Sequence, residues 1–164
     1  VLLMQTTLGR DLSVLGLAGL SFLVIAIGAP ASILGGTLSN RFGSARVAAA
    51  SLAGSALCCL AFGLAGGGLP PFLAVTLLLA WGATVATDSP HFSALSARAC
   101  PPSLVGGALA IQNAIGFAIT VAAIWLATGL AEAMGPTIAW LLLPGPILGL
   151  YGSRTLWLAR SLED

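Results

Sequence analysis

Asp88 and His91 are the one pair of ionisable side chains that sit close together beside a long apolar run. Three residues apart, they come within reach of each other if a helix continues through Pro90. An imidazole exchanges protons near neutral pH and a carboxylate beside it can pass them on, which is the chemistry of a proton relay. The pair stands at the end of its apolar run rather than in the middle. That position favours a gate or a structural pair over a proton-coupling site.

Two side-chain amides, Gln112 and Asn113, interrupt another apolar run. Polar groups are costly inside a bilayer, so each amide needs either a partner on another helix or a wet cavity. Neighbouring residues point about 100° apart on a helix, so only one of the two is expected to face such a cavity. The alternative role is interhelical glue, worth about 0.6–2 kcal/mol per bond. Trp81 and Thr84 share a helix face, with Thr87 following just before Asp88. Trp81 lies too deep in its run for an interfacial anchor, and it can either stack on a ligand or fill a helical core.

The elements that must position these groups are charge-free stretches at 12–40, 47–87, 99–131 and 133–153. A run of about 18 or more apolar residues is long enough to cross the roughly 30 Å hydrocarbon core of a bilayer as a helix. Hydrophobic residues make up 58% of the 164 and charged residues 7%, against about 25% charged in ordinary globular domains. A soluble chain of this size has nowhere to hide that much apolar surface, so an all-α integral membrane protein is expected. The Gly- and Pro-rich segment 66–71 breaks the longest run. Spans are then expected near 12–36, 46–66, 70–89, 104–128 and 136–157, in a single bundle of about five transmembrane helices. Pro144-Gly145-Pro146 predicts a kink in the last of them, and Gly145 and Gly149 offer a small-residue contact face.

Arginine placement gives the orientation. Arg41 and Arg46 fall between the first two spans, Arg98 between the third and fourth, and Arg154 and Arg160 at the C-terminal end. The alternate loops hold Arg10, beside Asp11, and Glu132. By the positive-inside rule the arginine-rich side is cytoplasmic. The expectation is a multi-pass protein of the cell (plasma or inner) membrane with its C-terminus in the cytoplasm. An odd number of spans with an outside start leads us to expect a further helix upstream of Val1.

Other classes find little support. Six basic residues against five acidic ones leave no basic stripe for nucleic acid. Cys58, Cys59, Cys100 and a single histidine have neither disulfide-framework nor zinc-ligand spacing, so no metal and no other cofactor is expected. No serine has the context of an intramembrane protease and no aspartates are paired or clustered, so an enzyme is not expected. There is no ATP-binding loop, so any transport must draw on an ion or solute gradient.

The segment Gly36-Thr37-Leu38-Ser39-Asn40-Arg41-Phe42-Gly43-Ser44-Ala45-Arg46 resembles the signature cytoplasmic loop of the major facilitator superfamily, G-x-x-x-[DN]-[RK]-x-G-x-[RK]-[RK]. In that reading Gly36 ends one helix, Gly43 permits a tight turn, and Arg41 and Arg46 stay among lipid headgroups. The sequence departs from the motif at Asn40, where the full form has Asp. A weakened copy is typical of the C-terminal half, and Pro101-Pro102 with Gly106 and Ala108 resembles the family's connection from helix ten to helix eleven.

The resemblance implies most of one six-helix half of a major facilitator fold, helices eight to twelve of twelve. The implied partners are the lipid bilayer, a small solute with or without a coupling proton, and the missing N-terminal half of the same transporter. It places Gln112 and Asn113 on the substrate path, because helix eleven lines the central cavity in that family. The expected function is secondary active transport by rocking-bundle alternating access. The alternative is a non-transporting membrane scaffold, or a five-span protein acting as a dimer.

Overall fold

A computed structural model describes residues 14–65 and 68–159, all of them in helices or short turns, with no strand among the described residues. Leu12, Arg10, Asp11, Gly66, Gly67 and Arg160, which enter the expected spans and orientation, lie outside the described residues. The helices are α1 (Val14–Ala26), α2 (Gly28–Phe42), α3 (Ser44–Ala65), α4 (Pro71–Ala99) and α5 (Val105–Met134). A 3-10 turn (Gly135–Ile138) and three short helices follow: α6 (Ala139–Leu142), α7 (Pro144–Gly152) and α8 (Arg154–Ala159).

Prolines set most of the breaks. Pro30 lacks the N–H that would bond the Ala26 carbonyl, and its ring crowds that carbonyl; α1 ends at Ala26. Hydrogen bonds from Ile27 N to Leu23 O and from Ala31 N to Ile27 O carry the chain across the joint. Pro144 and Pro146 act alike, and the expected kink takes the form of a break at Leu143, with a second at Ser153. Glycine makes two of the sharpest corners. Gly43 (φ 84°) is the whole connection between α2 and α3, and Gly135 (φ 53°) ends α5, both conformations that a side chain disfavours. Gly36, expected to end a helix, lies inside α2, which continues to Phe42.

The largest departure from expectation is at the third span. The helix expected over 70–89 runs on to Ala99, through Pro90. Proline at 90 leaves the Ala86 carbonyl without its usual donor. Ser32 Oγ, on α2, donates to Ala86 O at 3.2 Å and fills that vacancy. Where there is no water, a freed carbonyl must be satisfied by the protein in this way.

Close backbone approach orders the bundle. A Cβ on Gly28 would lie 2.6 Å from that of Ala86, one on Gly35 would strike Thr87 and come within 3.0 Å of His91 Nε2, and one on Gly82 would strike the Val24 carbonyl. Residue numbers rise together in these pairs, so α1–α2 runs parallel to α4. Gly54 meets Thr84 and Phe62 meets Trp81, so α3 runs antiparallel to α4. Gly63 meets the Trp140 ring and Leu52 meets Gly149, so the segment after Gly135 runs antiparallel to α3. The core cluster Phe62, Leu78 and Ala139 lies where these helices meet.

Four stretches, Gly16–Phe42, Ser44–Ala65, Pro71–Ala99 and Val105–Gly152, are long and apolar enough to cross a membrane. The last is 48 residues, about 72 Å at ~1.5 Å per residue. Gly135 folds it into two limbs. Large apolar side chains face outwards on every long helix, with Phe72 83% and Trp125 77% exposed, a surface that suits lipid and not water. Exposed hydroxyls of Thr37, Thr76, Thr120 and Thr128 each donate to a carbonyl of their own helix, so they add no unpaired donor to that surface. These features are those of a membrane-embedded, multi-pass protein. Of the described charged groups, Arg41, Arg46, Arg98 and Arg154 all lie at one end of the bundle, and Glu132 lies at the other.

These contacts predict the response to added methyl groups. Gly82→Ala is expected to destabilise the folded protein by about 1–3 kcal/mol, because the methyl meets backbone rather than a flexible side chain. Gly116→Ala, with nothing within 4 Å of the new atom, is expected to cause no loss. Ser32→Ala strips Ala86 of its donor and is expected to cost about 0.6–2 kcal/mol. Thermal unfolding of the three purified variants in one detergent checks the order.

Candidate functional site

Helix α4 supplies one wall of a cleft and α5 the other. Asp88, Ser89, Phe92, Ser93 and Ser96 form a stripe at spacing i, i+1, i+4, i+5, i+8, which is a single face of a helix. Gln112, Asn113, Gly116, Phe117 and Thr120 repeat the same spacing on α5. The two stripes face each other antiparallel and enclose about 590 Å³. Ser96 Oγ donates to Gln112 Oε1 and pins the helices together at the arginine end. Counted in helical turns from that bond, Phe92 comes level with Gly116, whose missing side chain leaves open space. Asp88 comes level with Thr120. From the Ser96–Gln112 bond to Asp88 is eight residues, about 12 Å. The middle of α5, from Asn113 to Ala122, is exposed throughout, and the helix regains buried contacts only at Ala127 and Ala131, against Ile138.

Because α4 continues through Pro90, Asp88 does not sit at the end of its helix. It stands three residues past the midpoint of Pro71–Ala99, about 4–5 Å from the centre. His91 is turned away from it, buried against Gly35 of α2. Asp88 instead accepts a hydrogen bond from Ser89 Oγ at 3.0 Å. The two occupy separate environments, one on the cleft and one inside the α2–α4 contact, while still acting on each other electrostatically. Among the described residues His91 is the only titratable group that acts electrostatically on Asp88.

The amide pair behaves differently from the expectation that only one would face a cavity. Both Gln112 and Asn113 border the cleft, because a groove of this size admits two positions about 100° apart. Gln112 also serves as interhelical glue through Ser96. Trp81 and Thr84 join a different neighbourhood. Trp81 Nε1 donates to Ser55 Oγ at 3.0 Å, and its ring lies 5.8 Å from that of Phe62, in the core between α3 and α4. Thr84 Oγ1 donates to the Trp81 carbonyl, and Thr84 borders a second groove of about 560 Å³ with Leu34, Leu38, Phe42 and Arg46. Neither meets Gln112 or Asn113.

In the loop that resembles the superfamily signature, Gly36 and Asn40 lie within α2, Gly43 is the buried turn, and Arg41 is exposed with its guanidinium 5.4 Å from the Phe42 ring centre. Arg46 is half-buried on the wall of the second groove. No group of His, Cys, Asp and Glu side chains able to hold a metal occurs among the described residues. Sequence reasoning passed over Ser89, Phe92, Ser93, Ser96, Gly116, Phe117 and Thr120. The signal was present in the repeated spacing on the two helices.

A cleft closed at one end and open in the middle predicts unequal cross-linking. In a background without native cysteines, Ser96→Cys with Gln112→Cys is expected to oxidise to a disulfide quickly. Asp88→Cys with Thr120→Cys, across the open part, is expected to oxidise much more slowly, as gel mobility after brief oxidant treatment will show.

No protein-family model, curated protein or solved structure matches this chain at a significant level.

Proposed function

We propose that this protein moves a small solute across the membrane as a secondary active transporter. On this reading the chain is a bundle of five transmembrane helices, with the limb after Gly135 as the fifth, and forms most of one half of a major facilitator fold. The observation that carries the reading is the α4–α5 cleft. It places a carboxylate near the middle of a long apolar helix, with two amides, several hydroxyls and two phenyl rings lining the way from it to the arginine end. Polar groups held at that depth mark substrate and ion paths more often than they serve packing. Transporters bind near the bilayer midplane and expose the site by rocking one bundle against another. Asp88, Gln112 and Asn113 are the solute contacts, with Asp88 also available to a coupling proton. His91, locked between α2 and α4, acts in packing or gating. The arginine end faces the cytoplasm, in keeping with the positive-inside rule.

Transport is tested in cells that express the full-length protein, with a panel of labelled solutes and an imposed proton gradient. At least one solute is expected to move at about ten times the rate seen with an Asp88→Asn, Asn113→Ala double variant. Equal rates for every solute would remove the transporter reading. Orientation has its own measurement. A cysteine at the exposed Ser103 is expected to react with an impermeant maleimide only from the cytoplasmic side, and one at the exposed Gly68 only from outside.

A further inference from the structure

The chemistry of the cleft walls goes further than "small solute". Among the described residues Asp88 is the only charged side chain on either wall. It stands near the centre of a helix long enough to span the bilayer, where an ionised group calls for a counter-charge. Among the described residues none stands directly against it: His91, which acts on it electrostatically, is turned towards Gly35, and Arg41, Arg46, Arg98 and Arg154 lie at the end of the bundle. Phe92, one helical turn from Asp88, and Phe117, on the opposite wall, border the same space. Aromatic faces beside a carboxylate are the arrangement that attracts an organic cation, through ring quadrupole and charge together. The open space at Gly116, level with Phe92, leaves room for a ring-sized body. The whole cleft falls in the usual range for small-molecule sites, about 300–1,000 Å³.

We propose that the α4–α5 cleft binds an organic monocation, a charged nitrogen or similar head on an apolar or aromatic body, with Asp88 as its counter-ion and Phe92 and Phe117 as its flanking walls. This rests on the reading of the cleft as a solute site. An anion is repelled at Asp88. A neutral solute leaves the carboxylate uncompensated. Asn113 and the hydroxyls of Ser89 and Ser93 then orient the polar part of the body without setting its charge.

Equilibrium dialysis of the purified full-length protein with labelled tetraphenylphosphonium, and separately with tetraphenylborate of the same shape and opposite charge, tests the proposal. Saturable binding of the cation and none of the anion is expected. Asp88→Asn is expected to weaken cation binding by about tenfold or more, with Asp88→Glu retaining most of it. Phe92→Leu and Phe117→Leu are each expected to weaken it by roughly three- to tenfold. Thermal unfolding of each variant separates lost binding from lost fold, and the two phenylalanine variants carry the test if Asp88→Asn does not fold.

Absence of saturable cation binding overturns the proposal, as does unchanged binding by Asp88→Asn or equal binding of the anion. The two readings fail separately. Cation binding at Asp88 without movement across a liposome membrane removes transport and leaves the ligand class. Gradient-driven movement of a neutral or anionic solute that does not compete with the cation removes the ligand class and leaves transport.

Discussion

A hydroxyl-to-carbonyl bond between two helices governs much of this architecture. Pro90 takes a donor out of the middle of α4, and in an apolar surrounding the Ala86 carbonyl has no water to turn to. Ser32 reaches across from α2 and supplies the missing hydrogen at 3.2 Å. Gly28, Gly35 and Gly82 make room for Ala86, for Thr87 and His91, and for the Val24 backbone, so the helices approach closely on both sides of that bond. With the bond in place α4 continues to Ala99, which moves Asp88 from the end of a helix to near its centre. Helix α4 is also the element that touches α1, α2, α3 and α5. Its continuity therefore fixes where the other walls stand.

The packing divides sharply along the chain. From α1 to α4, most glycines mark contact: a methyl at 28, 35, 54, 63 or 82 would run into a neighbouring helix, while Gly19 and Gly36 face open space. On α5 the glycines at 106, 107, 116 and 129 face open space. One part of the molecule is therefore held by close approach of small residues, which is how helices associate when lipid removes the usual hydrophobic drive. The other part is held at its two ends, by Ser96 with Gln112 and by Ala127 and Ala131 with Ile138. The cleft lies between those two attachments.

Much of the helical layout was legible because it depends on local composition. Charge-free stretches locate the helices, Gly43 locates the corner between α2 and α3, and the arginines gather at one end of the bundle. What escaped depends on partners distant in the chain. Nothing near Pro90 announces that Ser32 will satisfy Ala86, so the third helix read as ending at 89. The same distance hid Ser55, whose hydroxyl draws Trp81 into the core and away from the amides. The matched stripes on α4 and α5 were visible as spacing. Serine and glycine are so common in this chain that the pattern stood out only once the two helices were seen to face each other.

The two kinds of connection in the bundle have a mechanical consequence. Helices α2 and α3 are joined by Gly43 alone, so the end of one fixes where the other must begin. Helices α4 and α5 are joined by residues 100–104, where Pro101 and Pro102 stiffen the linker yet leave it several residues long. The helices from α1 to α4 are braced by close contact, and α5 rests on them like a beam on two supports, one at Ser96 and the other at Ala127 and Ala131.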